Sequence, residues 1–303
     1  MNIYYEGFVH HKNKSAISLL REEGINFFSD TASLDSIKPD IVNMFDKIID
    51  VRTIRNLESY EGPVVFGPHK FLFEKAGIYQ HDPDSHVSRR LFSGLHPKEK
   101  PYYFNCLSSW LKKLSNNICG PKLNAICLPF PVDINRFQPK KKTGRPVVYF
   151  KNRHPRILND VLKKLGHRFV IFNYGAGAGY NEEDFLSAIS EAPYCIWIGC
   201  HESQGFAFQE TLSCNTPIYV INVRSLREET GSFWAEKNCV PGHDLPATSA
   251  SYFDSACGLI SYPEDWQKRF GLFLQNLKHY EPRDFIVSHL SAKACKKRWE
   301  NII

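Results

Sequence analysis

Tyr194-Cys195-Ile196-Trp197-Ile198-Gly199-Cys200-His201-Glu202-Ser203-Gln204-Gly205-Phe206-Ala207-Phe208-Gln209-Glu210, continuing through Thr211-Leu212-Ser213-Cys214-Asn215-Thr216-Pro217-Ile218-Tyr219-Val220-Ile221, decides the fold. The run 194–198 has the length and apolar, aromatic composition of a buried strand. A helix is expected from near Gly205 to Asn215, and a second strand follows from Thr216-Pro217. That order puts a helix amino terminus just past the carboxyl end of a strand. Open α/β sheets bind ligands there, and free helical N–H groups at such a place suit phosphate. Glu202 and Glu210 stand eight apart within the stretch. Alone, two such glutamates are ordinary solvated helix surface; the strand–turn–helix frame makes them candidates for a site.

The same alternation runs outward in both directions. Upstream, a short strand at 2–5, a helix at 15–24 stopped by Gly24, and strands at 25–28, 48–51 and 63–67 indicate a parallel, doubly wound sheet. A helix at 110–117 leads to a further apolar segment at 124–129. Pro139-Lys140-Lys141-Lys142-Thr143-Gly144-Arg145-Pro146 is polar, basic and bounded by prolines, and reads as a solvated hinge. Beyond it come a strand at 147–150, a helix at 157–165, a strand at 169–172, the loop Gly175-Ala176-Gly177-Ala178-Gly179 and a helix at 182–190. The segment 282–299 reads as one closing helix. The expected architecture is α/β with two Rossmann-like domains, 1–142 and 143–280, joined by that hinge and followed by a carboxyl-terminal helix, 281–303.

The bulk properties narrow the function classes. A chain of 303 residues holds one large domain or two modest ones. A net charge of +6 suits an anionic ligand or peripheral contact with a membrane, but is too mild to predict nucleic acid as a partner. Nine cysteines with no Cys-x-x-Cys pair argue against a disulfide framework or a zinc ribbon. Neither a signal peptide nor a membrane span is expected, so the reading is cytoplasmic.

Glu202-x-x-Gly205-Phe206-x-x-x-Glu210 followed by Pro217 resembles the donor-binding signature of retaining glycosyltransferases of the GT-B fold, family 4 (group 1) in particular. Asn215 stands where that family usually has Gly, and Asn is the next-best left-handed helix cap. Pro129-Phe130-Pro131-Val132-Asp133 with Arg136-Phe137-Gln138-Pro139 resembles the segment that closes the first domain of the same enzymes.

The resemblance implies that the two domains face across a cleft, with the carboxyl-terminal helix 281–303 packing back on the first. It also implies transfer of a sugar from a nucleoside-diphosphate sugar to a glycan, lipid or other hydroxyl acceptor. It implies Glu210 on the ribose diol, Glu202 on a hydroxyl of the donor sugar, and Gly205 and Phe206 beside the diphosphate. Carboxylates suit hydroxyls because they accept charge-assisted hydrogen bonds. A cation must face the departing diphosphate; Arg153 is the first candidate, Lys151 the second and Arg156 the third. By the same resemblance, His69 contacts the donor sugar or reacting centre. Glu6, Gly7, His10 and His11 occupy the loop after the first strand.

Gly175-x-Gly177-x-Gly179 falls one residue short of the dinucleotide fingerprint, and is better placed near the nucleotide base, with Gly175 as its candidate residue. Asp82-Pro83-Asp84 imitates a metal-binding Asp-x-Asp, but lacks the apolar strand that should precede it and reads as a turn. No metal and no cofactor are therefore expected. The competing reading is a non-catalytic module of the same fold that binds sugar nucleotides or glycans.

Overall fold

The computed structural model describes residues 1–7, 9–29, 38–45, 60–68, 102–119, 124–166, 168–175, 179–230 and 245–303. The chain divides into two compact units, Met1–Pro131 with Ala292–Ile303, and Val132–Ser291. In the first, β1 (Asn2–Gly7), α1 (His11–Glu22), β2 (Asn26–Ser29), β3 (Ile41–Phe45), β4 (Val64–Phe66), β5 (Tyr102–Asn105), α2 (Ser109–Cys119) and β6 (Ala125–Ile126) follow one another. Their sheet is parallel throughout, in the order β2-β1-β3-β4-β5-β6. Ile3, Ile41, Val42, Val64, Val65 and Phe66 are fully buried in it, and α1 covers it with Ala16, Ile17 and Leu20. The strand expected at 48–51 lies outside the described residues. Strands β3 and β5 occupy stretches from which no strand was expected.

The second unit repeats the plan with β7 (Val147–Lys151), α3 (Pro155–Leu165), β8 (Val170–Tyr174), α4 (Glu182–Glu191), β9 (Cys195–Ile198), α5 (Phe206–Ser213), β10 (Ile218–Ile221), β11 (Gly258–Ser261), α6 (Trp266–Gln275) and α7 (Pro282–Leu290). The order is β11-β10-β9-β7-β8, again all parallel. Every residue of β9 and β10 is buried, as expected of central strands covered on both faces. The two-residue period sorts their side chains. Val148, Phe150, Ile196, Ile198, Tyr219 and Ile221 meet Val161 of α3 and Trp266, Phe270 and Phe273 of α6. On the opposite face, Tyr149 stacks on Trp197 with ring centroids 3.9 Å apart, and Trp197 meets Phe208 of α5 edge-on at 5.0 Å.

Two expectations about the connections are corrected. The segment 139–146 is not wholly a solvated hinge. Lys140 and Lys141 are exposed, but the Lys142 ammonium is drawn into the second unit, where it donates to Ser190 O, Cys214 O and Thr216 Oγ1. Buried carbonyls need donors, and this lysine supplies them. The closing helix is in fact two, α7 and α8 (Ala292–Glu300), separated at Ser291, whose backbone is extended. Helix α7 packs on α5, whereas α8 packs on α1 in the first unit, with Trp299 edge-on to Phe27 at 6.4 Å. A carboxyl-terminal helix does cross back to the first domain, as α8 alone.

Arg283 at the start of α7 fixes the segment after residue 131. Its guanidinium donates to Ile134 O, Phe137 O and Ser213 O at 2.7–3.1 Å. Hydrogen bonds from a charged donor contribute about 1.5–3 kcal/mol each before relaxation. Arg283→Ala is expected to destabilise the protein by about 2–3 kcal/mol in urea unfolding. A loss below about 0.5 kcal/mol would show that these carbonyls find water instead.

Candidate functional site

A sheet ordered 2-1-3-4-5 reverses direction between its first and third strands, and ligands bind at the carboxyl ends beside that reversal. In the second unit these strands are β7 and β9, with Phe150 opposite Ile198. Lys151 therefore leaves β7 level with Gly199, on the Tyr149 and Trp197 face by alternation. There its ammonium donates to Glu202 Oε1 at 2.7 Å, so an ion pair spans the switch point. The two side chains retain 18% and 12% exposure, enough to be reached from solvent. Burial works against the charge on Lys151, but the Glu202 carboxylate outweighs it and holds the amine above the ordinary lysine range. The exposed ring of Tyr174, at the end of β8, lies 5.4 Å from the same ammonium.

The turn carrying Glu202 is held from several sides. Its backbone N–H donates to Thr248 O at 3.0 Å. The 248–249 backbone is tied in turn to Asn222 Oδ1, which accepts from Thr248 Oγ1, Ser249 N and Ser249 Oγ. Gly205 starts α5 with φ 81° and ψ 63°, a left-handed conformation that favours glycine. A Cβ there would also lie 3.2 Å from Glu202 Cβ. No side chain caps this helix, so its first N–H groups have no side-chain acceptor at the cap.

Glu210 follows one turn later, 5% exposed. Tyr180 stands close to it: burial first and the Glu210 charge second push that phenol well above its ordinary range, and its hydroxyl shares a hydrogen bond with Tyr149. Gly175 takes φ +125°, and a Cβ on it would meet Asn152 Oδ1 at 2.0 Å. Glycine therefore lets the end of β8 lie against the turn after Lys151. Glu202, Lys151, Gly205, Phe206, Glu210 and Gly175 thus belong to one end of one sheet.

Arg153 corrects an expectation. Its side chain is 1% exposed, and Nη1 donates to Gly199 O and Ile221 O at 3.1 and 3.2 Å while Nη2 faces Glu228 Oε2 at 3.5 Å. A guanidinium so enclosed presents no face to a diphosphate. Arg156 is exposed on the first turn of α3. Beside Arg153, the His201 N–H donates to Glu229 Oε1 at 2.6 Å, and His201 Nδ1 lies 2.5 Å from the same oxygen. Cys200 Sγ, His201 and Glu229 offer ligand atoms within 4.8 Å of one another, a donor set chemically able to hold a divalent metal. The surrounding charge opposes it, because Arg153 and Lys151 both act electrostatically on this group and supply the positive charge themselves.

No family model matches the chain, and no curated protein matches its sequence. Solved structures do. The lipopolysaccharide outer core galactosyltransferase WaaB aligns over 100% of this chain and 99% of its own at 11% identity, with a TM-score of 0.55. Anabaena Alr3699/HepE, solved with UDP and glucose, aligns over 99% and 98% at 9% identity, with a TM-score of 0.58. Sucrose-phosphate synthase from Thermosynechococcus elongatus aligns over 99% and 98% at 9% identity, with a TM-score of 0.54. The fold is GT-B.

Within the GT-B frame, the first unit shows less of its expected site. Glu6 and Gly7 end β1 at the corresponding reversal between β1 and β3. His10 caps α1, accepting from Lys12 N at 3.4 Å, and its ring lies tilted against that of His11 with centroids 4.1 Å apart. Burial, then the neighbouring His11, draws the His10 pKa below its ordinary value. His69 and Asp82-Pro83-Asp84 lie outside the described residues. The residues that sequence reading left unassigned are Tyr180, His201, Asn222 and Glu229. Glu229 sits in the charged run 224–229, which resembles an exposed turn; only three-dimensional packing reveals its burial. Among the described residues no helix is long and apolar enough to cross a membrane.

Proposed function

We propose that this protein is a glycosyltransferase. It moves a hexosyl or pentosyl group from a nucleoside-diphosphate sugar to a hydroxyl of a glycan, lipid or other acceptor, with retention of configuration and without a metal ion or cofactor. The observation that carries this reading is the Lys151–Glu202 pair at the switch point of a GT-B sheet. Lys151 faces the departing diphosphate, and the open amino terminus of α5 at Phe206 adds backbone N–H groups. Glu202 accepts from a hydroxyl of the donor sugar, and Glu210 from the ribose diol. Gly175 and Tyr174 border the place for the base. HepE has been solved with UDP-glucose, which makes UDP-sugars the first donors to try. The setting is cytoplasmic, with room for peripheral contact with a membrane.

The test is release of nucleoside diphosphate from a panel of UDP-, GDP-, ADP- and dTDP-sugars, together with thermal stabilisation by each. Failure of every donor to stabilise the protein would sink the proposal. Chelation with EDTA is expected to leave the rate unchanged, because Lys151 supplies the charge that a divalent ion supplies elsewhere. A rate lost on chelation and restored by Mg²⁺ or Mn²⁺ would overturn the metal-free part. One observation favours a second reading, a binding module without turnover: the enclosure of Arg153 removes one expected cation from the leaving group. Donor binding without detectable hydrolysis or transfer would select it.

A further inference from the structure

We propose that Glu229 is a positioning residue for the Lys151–Glu202 pair, acting through His201 and Arg153. Glu229 lies on the loop after β10, its side chain fully enclosed. Its Oε1 accepts from the His201 N–H at 2.6 Å and faces His201 Nδ1 at 2.5 Å. Its backbone bridges antiparallel to Arg153, and the Thr230 N–H donates to Asn152 O at 3.0 Å. Arg153 then reaches Gly199 O and Ile221 O. The loops that leave β7, β9 and β10 are thus joined by one buried charged cluster.

The two rim groups grow directly from it. Lys151 is two residues from Arg153, and Glu202 follows His201. Any rotation of the cluster moves both ends of the ion pair.

Stability alone is a poor reason for such a cluster. Buried charges are costly to desolvate even when paired, and Glu229 Oε2 and Arg153 Nε are buried without a hydrogen bond. Apolar residues of similar volume would fill the space at lower cost. What apolar residues cannot do is fix three loop ends at hydrogen-bond tolerance, the precision a reacting centre requires.

The proposal deepens the sugar-transfer reading and rests on it for its kinetic arm only. Glu229→Gln keeps the shape and an acceptor for the His201 N–H, but removes the charge. In UDP-glucose turnover, or with whichever donor the panel identifies, Glu229→Gln is expected to lower kcat about thirtyfold while KM changes less than about threefold. The structural arm needs no activity: a double-mutant cycle of Lys151→Met and Glu202→Gln, read from urea midpoints. Their coupling is expected to fall by at least half in the Glu229→Gln background. His201→Phe repeats the measurement should Glu229→Gln fail to fold. Undiminished coupling in the folded variant overturns the positioning role, whatever the activity. If the wild type turns over no donor, the sugar-transfer reading fails by itself and the coupling still decides the role of Glu229.

Discussion

Glu202→Gln is expected to slow sugar transfer about a hundredfold or more while tightening the binding of free UDP about fivefold. The two effects have opposite signs because the proposed function gives Glu202 a sugar hydroxyl to hold as well as Lys151. Without ligand its carboxylate holds Lys151 at 2.7 Å, in a setting where both side chains are largely shielded from water. Under the proposed function a diphosphate takes up the same ammonium and so competes with Glu202. Gln removes the competitor, and Lys151 is left to the phosphate. Transfer suffers because a neutral amide is a weaker acceptor for the sugar hydroxyl than a carboxylate. Calorimetric titration with UDP and steady-state rates on one preparation provide the check. Loss of UDP affinity in Glu202→Gln would mean that the carboxylate supports the diphosphate site rather than competing for it.

How much of this was legible in the sequence follows from which forces leave a local signature. The strand 194–198, the turn at Gly205, the helix to Ser213 and the strand from Ile218 were readable because apolar runs and a left-handed turn are properties of neighbouring residues. The two parallel sheets followed from alternation. Strand β5 was missed because Tyr102-Tyr103-Phe104-Asn105 has no strict alternation and ends in a polar residue. That Asn105 is buried and tied to Leu128 N and O becomes visible only when β6 is placed beside it. Lys142 shows the same limit. It stands third in a run of three lysines, and nothing local separates the one whose ammonium meets three buried oxygens from its solvated neighbours.

Arg153 and Lys151 are the sharpest case, since sequence put Arg153 first and the structure encloses its side chain while leaving that of Lys151 18% exposed. They leave the same strand end two residues apart, where extended chain would give both side chains one face. Asn152, with φ +46°, breaks that alternation and turns Arg153 inward. Paired substitutions separate the two roles. Lys151→Met is expected to leave the protein folded but reduce kcat about 10²–10³-fold, the scale of losing one preorganised group from a developing anion. Arg153→Met is expected to cost about 3–5 kcal/mol of stability, because Glu228, Glu229 and the carbonyls of Gly199 and Ile221 lose their buried cation. In the protein that stays folded, kcat should fall only about as far as in Glu229→Gln, because Arg153 belongs to the same cluster that holds the Lys151–Glu202 pair. Urea unfolding and single-turnover rates at two temperatures distinguish the outcomes. If Arg153→Met stays as stable as wild type and loses turnover outright, the guanidinium must swing out to the phosphate when donor binds, and the expectation drawn from sequence would be restored.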